Sequence, residues 1–146
     1  MNVTLKDLQQ FLSSEARVEY LRVPDADSVQ YEFRLNEDWA ELTGRTVLLV
    51  SVTLDSEANV IRQLALTVDY LTDDQVPLAV AACNAWNSMQ AGPTAYITDL
   101  ESGYDLEFCD TLDIDSGLTA TVTDALHFFP LRVYQSIRFL HAEFGL

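Results

Sequence analysis

The sequence predicts an α+β domain with two layers, in which three helices cover one antiparallel sheet. Apolar residues recur with a helical period near both ends of the chain and once in its middle. The segments between them alternate apolar and polar residues, as half-buried strands do, and short polar turns join them. Short turns connect antiparallel neighbours, so the strands are expected to form hairpins. The predicted order is helix, four strands, helix, two strands, helix.

The first helix is predicted to begin next to Thr4, whose side chain can cap the first turn. Val3 and Leu8 have the spacing of a hydrophobic staple, which fixes how the chain enters the helix. One face of this helix is apolar and consists of Leu5, Leu8, Phe11 and Leu12.

Four strands are predicted to follow. The first, residues 17–23, ends at a run of turn-forming residues. The second alternates with polar residues and contains Val29, Tyr31, Phe33 and Leu35. Residues 46–54 are almost continuously apolar, which favours a central position in the sheet, and a polar loop leads from them into residues 60–68. Between the second and third strands, residues 36–44 are predicted to hold a single helical turn around Trp39.

The second helix has two candidate starting points. Thr72 and Gln75 have capping-box spacing, whereas Asp74 as the cap would place Pro77 in the first turn. Its predicted buried face consists of Leu78, Ala81, Ala82, Ala85 and Met89. The helix is expected to stop at residues 90–93, which include Gly92 and Pro93.

Two strands, residues 94–98 and 104–114, and a long helix, residues 121–144, complete the predicted domain. The helix contains Pro130, which removes one backbone hydrogen bond, and its main apolar stripe consists of Leu126, Phe129, Val133, Ile137, Leu140 and Phe144. Phe128, Leu131 and Phe139 lie off that stripe, which predicts a partner or homodimer interface there. The first helix is the alternative cover for this second face.

The charge of the chain excludes several classes of partner. Eight Lys and Arg against 23 Asp and Glu give a formal net charge of −15. No basic residue lies between Arg62 and Arg132, an interval that holds eleven carboxylates. Proteins bind nucleic acids and anionic membrane surfaces mainly through Lys and Arg side chains, so neither is an expected partner of this acidic chain. The acidity either maintains solubility or attracts a basic protein partner.

Length and composition predict one soluble domain over residues 1–146. Hydrophobic residues make up 49% of the chain, and no repeat or linker interrupts it. The residues after Met1 lack the pattern of a signal peptide, and no apolar run is long enough to span a membrane. Cys83 and Cys109 lack metal-binding spacing, which fits a reducing compartment, so a cytoplasmic protein is expected.

No pattern in the sequence predicts an enzyme, a metal site or a cofactor. His127 and His141, the only histidines, are fourteen residues apart on the last helix, about 21 Å, and cannot share a metal ion. The acidic run around Asp113 fails the calcium-loop pattern because Gly117 comes one position early. In this strand the predicted outward residues are Asp105, Glu107, Cys109, Asp113 and Asp115. Asp110 falls on the inward side, which indicates a bulge, an edge position, a bond to backbone amides or a functional carboxylate.

The residues that carry a family resemblance lie in the second half of the chain. They are Asn84-Ala85-Trp86-Asn87, Thr94-Ala95-Tyr96-Ile97, Leu106-Glu107-Phe108 and Asp115-Ser116-Gly117-Leu118-Thr119, followed by the long apolar helix. Over about residues 64–146 they resemble the YbjN-type domain family, bacterial proteins described as putative sensory-transduction regulators. Ala95 and Ser116 depart from the family pattern, which often has a charged residue and a glycine there.

This resemblance implies a type III secretion chaperone-like fold and a non-enzymatic, often dimeric domain that acts through protein contacts. It brings no catalytic residues. The primary hypothesis is therefore an adaptor or chaperone-like regulator, and the alternative is a small-molecule-binding regulatory domain with a pocket between sheet and helices.

The Asn84, Trp86 and Asn87 motif has two interpretations. Asparagine amides near the end of a helix can satisfy unpaired carbonyls or the chain that enters the next strand. Alternatively, the three side chains form a patch that binds a partner.

Overall fold

A computed structural model of the 146-residue chain describes residues 3–43, 47–100 and 103–146. Only the backbone is described at residues 39, 42–43, 67–70 and 100. Six strands form one antiparallel sheet in the order β1-β2-β3-β4-β6-β5. Buried side chains of the sheet and of the helices form one continuous core. The predicted α+β class, the antiparallel sheet and the order of the elements are confirmed.

Helix α1 (Leu5–Ser13) begins as predicted. Thr4 and Asp7 form a reciprocal capping box: the Asp7 N–H donates to Thr4 Oγ1 at 3.2 Å, and the Thr4 N–H donates to Asp7 Oδ2 at 2.9 Å. These bonds also lower the pKa of the Asp7 carboxyl. Leu8 and Leu12 are fully buried and attach the helix to the core.

The first four strands are β1 (Val18–Asp25), β2 (Ser28–Arg34), β3 (Val47–Asp55) and β4 (Val60–Leu71). Strand β1 is longer than predicted because a turn of only two residues joins it to β2, so Asp25 pairs with Ser28. Strand β4 is also longer than predicted, since it resumes pairing with β6 after a bulge between Leu66 and Tyr70. The central position predicted for β3 is confirmed.

Between β2 and β3, the seven-residue helix α2 (Glu37–Thr43) replaces the single turn that was predicted. This helix is additional to the three long ones. Residues 44–46, at the end of the predicted segment, lie outside the described residues.

Helix α3 (Val76–Ser88) follows a 3₁₀ turn (Asp73–Gln75). Thr72 begins the 3₁₀ turn, and its N–H donates to Gln75 Oε1 at 3.0 Å, as the first candidate start predicted. Pro77 lies in the first turn of α3 as expected, but the residue that caps this helix is Gln75 and not Asp74. The predicted buried face is wrong except for Ala82. The residues that α3 buries are Ala79, Ala82, Cys83 and Trp86. Because apolar residues surround almost the whole helix, the hydrophobic periodicity could not indicate which face is buried. The packing of the large Trp86 ring determines that face.

The last elements are β5 (Thr94–Leu100), β6 (Gly103–Asp113) and α4 (Ala120–Phe144). Strands β5 and β6 form the predicted hairpin, whose connecting residues 101–102 lie outside the described part of the chain. Four residues of the predicted stripe on α4 are buried, and Ile137 and Phe144 are half-buried against the core. No helix in the described ranges has the length and apolar character needed to cross a membrane.

Strand β6 corrects two predictions about exposure. Asp105 and Glu107 were expected to face solvent, yet they are only 4% and 9% exposed. Strand β6 lies between β4 and β5, so neighbouring side chains cover it from both sides. Asp110 pairs with Gln63 in continuous register, which rules out a bulge. Its pairing with β5 has already ended at Cys109, so Asp110 lies at an edge, and its carboxylate accepts the Thr111 N–H at 3.0 Å; both were among the predicted alternatives.

Candidate functional site

A cavity of about 240 Å³ lies between the end of α1, strands β1 and β2, and α4. Most of its wall is apolar and comes from Leu12, Ala16, Val18, Phe33, Leu126, Pro130 and Leu131. Its polar groups come from Glu15, Arg17, Tyr31 and His127. An apolar cavity with a few convergent polar groups is typical of a small-molecule site, although this one is smaller than most.

Glu15 and His127 meet at the wall of this cavity. The His127 Nδ1 atom lies 3.0 and 3.1 Å from the two carboxylate oxygens of Glu15. The pair connects the chain after α1 to α4, and the His127 ring also contacts Phe128 edge-to-face at 4.7 Å. This contact positions the imidazole beside the cavity.

Arg17 and Tyr31 supply the other polar groups. The Arg17 guanidinium lies 4.7 Å from the centre of the Phe33 ring, and its Nε donates to the Arg34 carbonyl at 2.9 Å. Burial, and then the nearby charge of Glu15, raise the pKa of the Tyr31 hydroxyl. Tyr31 therefore stays protonated at neutral pH and cannot serve there as a base.

A second cluster of polar contacts forms where α3 ends and β5 begins. The indole N–H of Trp86 donates to the Pro93 carbonyl at 2.7 Å, and the Trp86 ring packs 5.4 Å from the ring of Phe139. Asn87 holds Ala95 with two hydrogen bonds of 2.8 Å: its Nδ2 donates to the carbonyl and its Oδ1 accepts the N–H. Trp86 and Asn87 thus fix the start of β5, while Asn84 is exposed one turn earlier.

Gly92 gives this cluster its close packing. A Cβ atom added at Gly92 would lie 2.9 Å from Trp86 Cζ2, closer than carbon atoms can approach without displacement. We therefore expect Gly92→Ala to lower the free energy of unfolding by about 1–3 kcal/mol, because the buried indole must shift. Urea denaturation measures the change, with Ala91→Ser at the exposed neighbouring position as the control. Equal stability of the two variants would contradict the close contact.

The three residues predicted for a partner or dimer interface differ in how far the rest of the chain covers them. Phe128 is 42% exposed. Leu131 lines the cavity, and Phe139 packs against Trp86 and lies 6.2 Å from Phe144, ring centre to ring centre. Leu131 and Phe139 therefore have neighbours inside the chain, and Phe128 is the most accessible of the three.

Neither cysteine is placed as a nucleophile. Burial raises the pKa of the Cys83 thiol, and burial together with the carboxylates of Asp110 and Glu107 raises the pKa of the Cys109 thiol. A raised pKa lowers the thiolate fraction at neutral pH, and the thiolate is the reactive form. Within the described ranges, no three His, Cys, Asp or Glu side chains are grouped so that they could hold a metal ion.

Comparisons with known proteins identify a likeness in structure. No family model and no curated protein matches the sequence. The crystal structure of YbjN from E. coli, described as "a putative transcription regulator", matches with a TM-score of 0.68 at 15% sequence identity. The match covers 96% of this chain and 92% of that chain, so it includes the first half, where the sequence resembled the family mainly in element order. The chain therefore has the fold of YbjN, as the residues of its second half predicted.

Proposed function

We propose that this chain is a non-enzymatic regulatory protein of the cytoplasm that acts through protein–protein contacts, as an adaptor or a chaperone-like partner. The protein with which it shares its fold is described as a regulator. Both cysteines are free, which fits a reducing compartment. The observation that carries the proposal is the outer surface of α3.

Helix α3 contains no Asp, Glu, Lys or Arg, in a chain where 21% of residues are charged. Leu78 and Val80 on this helix are 44% and 45% exposed, and Met89 immediately after it is 47% exposed. A helix that is apolar around its circumference is normally covered on all sides. Exposed apolar surface of this kind marks a protein contact.

We propose a homodimer as the first of these contacts. Two copies that each carry a charge of −15 repel one another, and this repulsion is smallest where the touching surfaces lack carboxylates, as α3 does. Its side opposite Asn87, here called the α3 flank, consists of Leu78, Ala81, Ala85 and Met89. The small alanines allow two helices to approach closely, and the same surface on both copies satisfies two-fold symmetry. Phe128 on α4 is available to extend this contact.

The dimer is tested by introducing charge on the α3 flank. We expect the double variant Leu78→Lys, Met89→Lys to sediment as a folded monomer and the wild-type chain to sediment as a dimer, because a lysine cannot be desolvated without a partner. Val23→Lys, at an exposed apolar residue of β1, is the matched control and should remain dimeric. A wild-type chain that is monomeric at high micromolar concentration would refute the homodimer.

The wider proposal of a protein contact is tested by comparative capture. The immobilised wild-type chain, the Val23→Lys control and the α3 double variant are each exposed to extract of the source organism. We expect the same protein to be retained by the first two and lost from the third. Retention that does not depend on α3 would show that the helix is not the contact surface.

A small-molecule regulatory domain is the second candidate, because the cavity beside Glu15 and His127 has the required mixture of apolar wall and polar groups. Indole, a small apolar ring with one N–H donor, is a suitable probe. We expect titration with indole to shift the methyl NMR signals of Leu126 and Leu131, and Ala16→Leu to abolish those shifts by filling the cavity. Unchanged signals at millimolar indole would show that the cavity does not admit a small apolar ring, which would count against this candidate.

A further inference from the structure

The contact between Asn87 and Ala95 shows which backbone groups of β5 point away from the sheet. In an antiparallel pair, the N–H and C=O of one residue point to the same side, and the side alternates along the strand. Strand β5 has β6 on one side only. Because Asn87 binds both backbone groups of Ala95, these groups point away from β6. The backbone groups of Ile97 and Asp99 point the same way, and within the described part of the chain they have no partner there.

The two edges of the sheet differ in how they are protected. The outer strand β1 is interrupted by two register shifts, contains Pro24, and has a positive φ of 53° at Tyr20. Such interruptions prevent another strand from pairing with an edge. Strand β5 pairs with β6 in continuous register from Thr94 to Leu100, contains no proline, and carries one charged residue, Asp99. Apart from the position capped by Asn87, this edge has none of these protections.

Helix α3 meets the outer edge of β5 at Asn87. Val80, Asn84 and Asn87 are spaced by four and three residues, so they lie on one side of the helix. Asn87 shows that this side faces the outer edge of β5. Val80 and Asn84 are both exposed. We use the name β5 groove for the outward backbone groups of Ile97 and Asp99 together with the side of α3 that carries Val80 and Asn84.

The charge around the β5 groove selects its occupant. Residues 63–131, which include α3, β5 and β6, contain eleven carboxylates and no Lys or Arg. Asp99 lies on the edge itself, and Asp105 and Glu107 pair with Thr98 and Tyr96 in the neighbouring strand. A strand from a second copy would bring the same negative charge, whereas a segment that contains Lys or Arg is attracted.

We infer that the β5 groove binds an extended segment of a partner protein that contains Lys or Arg, which adds to the sheet as a seventh strand beside β5. This inference rests on the proposed function and names the chemistry of the partner. The N–H and C=O groups of Ile97 and Asp99 supply up to four main-chain hydrogen bonds, the usual source of affinity when a strand adds to a sheet edge. Successive side chains of the segment point to opposite faces of the sheet. On one face they contact Val80 and Asn84, and on the other they approach Asp105 and Glu107 of β6.

A random dodecapeptide library displayed on phage is the probe, selected on the wild-type chain. We expect enriched peptides to carry Lys or Arg at alternate positions.

The deciding variant is Asp99→Pro, which removes an outward N–H without affecting the ladder to β6. An edge strand tolerates proline at such a position. Asp99→Asn is the matched control that removes only the charge. We expect Asp99→Pro to weaken binding by about tenfold or more and Asp99→Asn by about threefold or less.

Hydrogen exchange measured by NMR locates the bound peptide and checks the fold of each variant. In the free chain, the amides of Ile97 and Asp99 should exchange faster than those of Tyr96 and Thr98, and the peptide should slow the exchange of Ile97 and Asp99.

The inference is overturned if no peptide is enriched, if enriched peptides protect other amides, or if the Asp99→Pro variant binds the enriched peptides normally. It is also overturned if the amides of Ile97 and Asp99 become protected with rising protein concentration alone, since the occupant would then be a second copy. Capture from extract that depends on the α3 flank but not on Asp99 would reject the groove and leave the proposed function standing.

Discussion

Replacement of Trp86 by alanine is expected to lower the free energy of unfolding by about 3–5 kcal/mol, as large-to-small changes of buried aromatic residues do. Trp86 is the largest buried side chain of α3 and is only 6% exposed. The change removes its packing against Phe139 and Gly92, and it leaves the Pro93 carbonyl without its donor. Chemical denaturation followed by far-UV circular dichroism measures the loss.

Trp86→Phe separates the two contributions. It keeps an aromatic ring against Phe139 but removes the indole N–H, so we expect it to cost about 1–3 kcal/mol, the range for one buried acceptor left unpaired. Near-native stability of Trp86→Ala would contradict the structure. It would mean that Trp86 contributes little to holding α3 against β5, and it would favour partner binding as the role of this residue.

The elements that could be predicted from the sequence are those that local rules determine. Thr4 and Asp7 stand three residues apart and form the cap that this spacing favours. The apolar character of residues 46–54 placed β3 at the centre of the sheet, because a strand with neighbours on both sides exposes little surface. The turn residues between β5 and β6 likewise predicted their hairpin.

The orientation of α3 could not be predicted by the same rules. Its apolar residues point in nearly every direction, so the hydrophobic period has no clear maximum, and a face with Leu78 and Met89 fits as well as one with Trp86. Contacts distant in sequence decide between them. Trp86 reaches Phe139 on α4, and Pro93 accepts its N–H only because the chain turns back there.

The cavity was missed for a related reason. Glu15 and His127 are 112 residues apart, and nothing near either residue indicates the other. The sequence singled out His127 only as a residue too far from His141 to share a metal ion, and it predicted no site role for Glu15 or Arg17. The exposed apolar residues of α3 were missed because the sequence assigned two of them, Leu78 and Met89, to the core.

Phe139→Asp is expected to lower the free energy of unfolding by about 3 kcal/mol or more, a large part of the stability of a typical domain. Phe139 lies on α4 between Trp86 and Phe144, where an aspartate loses both ring contacts and places a carboxylate against an apolar surface. The sequence left two outcomes open for this change: a folded monomer if Phe139 lies at a dimer interface, and a destabilised chain if the residue is covered from within. The contact with Trp86 favours the second.

Phe139→Leu is the matched control for this prediction, because it keeps an apolar side chain on Trp86 and adds no charge. We expect Phe139→Leu to lower the free energy of unfolding by less than about 1.5 kcal/mol if the neighbouring rings repack.

Phe128→Asp provides the second comparison, since Phe128 is 42% exposed and lies eleven residues, about three turns, earlier on the same side of α4. We expect it to leave the unfolding midpoint nearly unchanged at concentrations where the chain is monomeric and to weaken the dimer. Light scattering after gel filtration and urea denaturation distinguish the two effects. A Phe139→Asp chain that is as stable as Phe128→Asp and is purely monomeric would show that Phe139 belongs to the dimer interface and that its contact with Trp86 contributes little to stability.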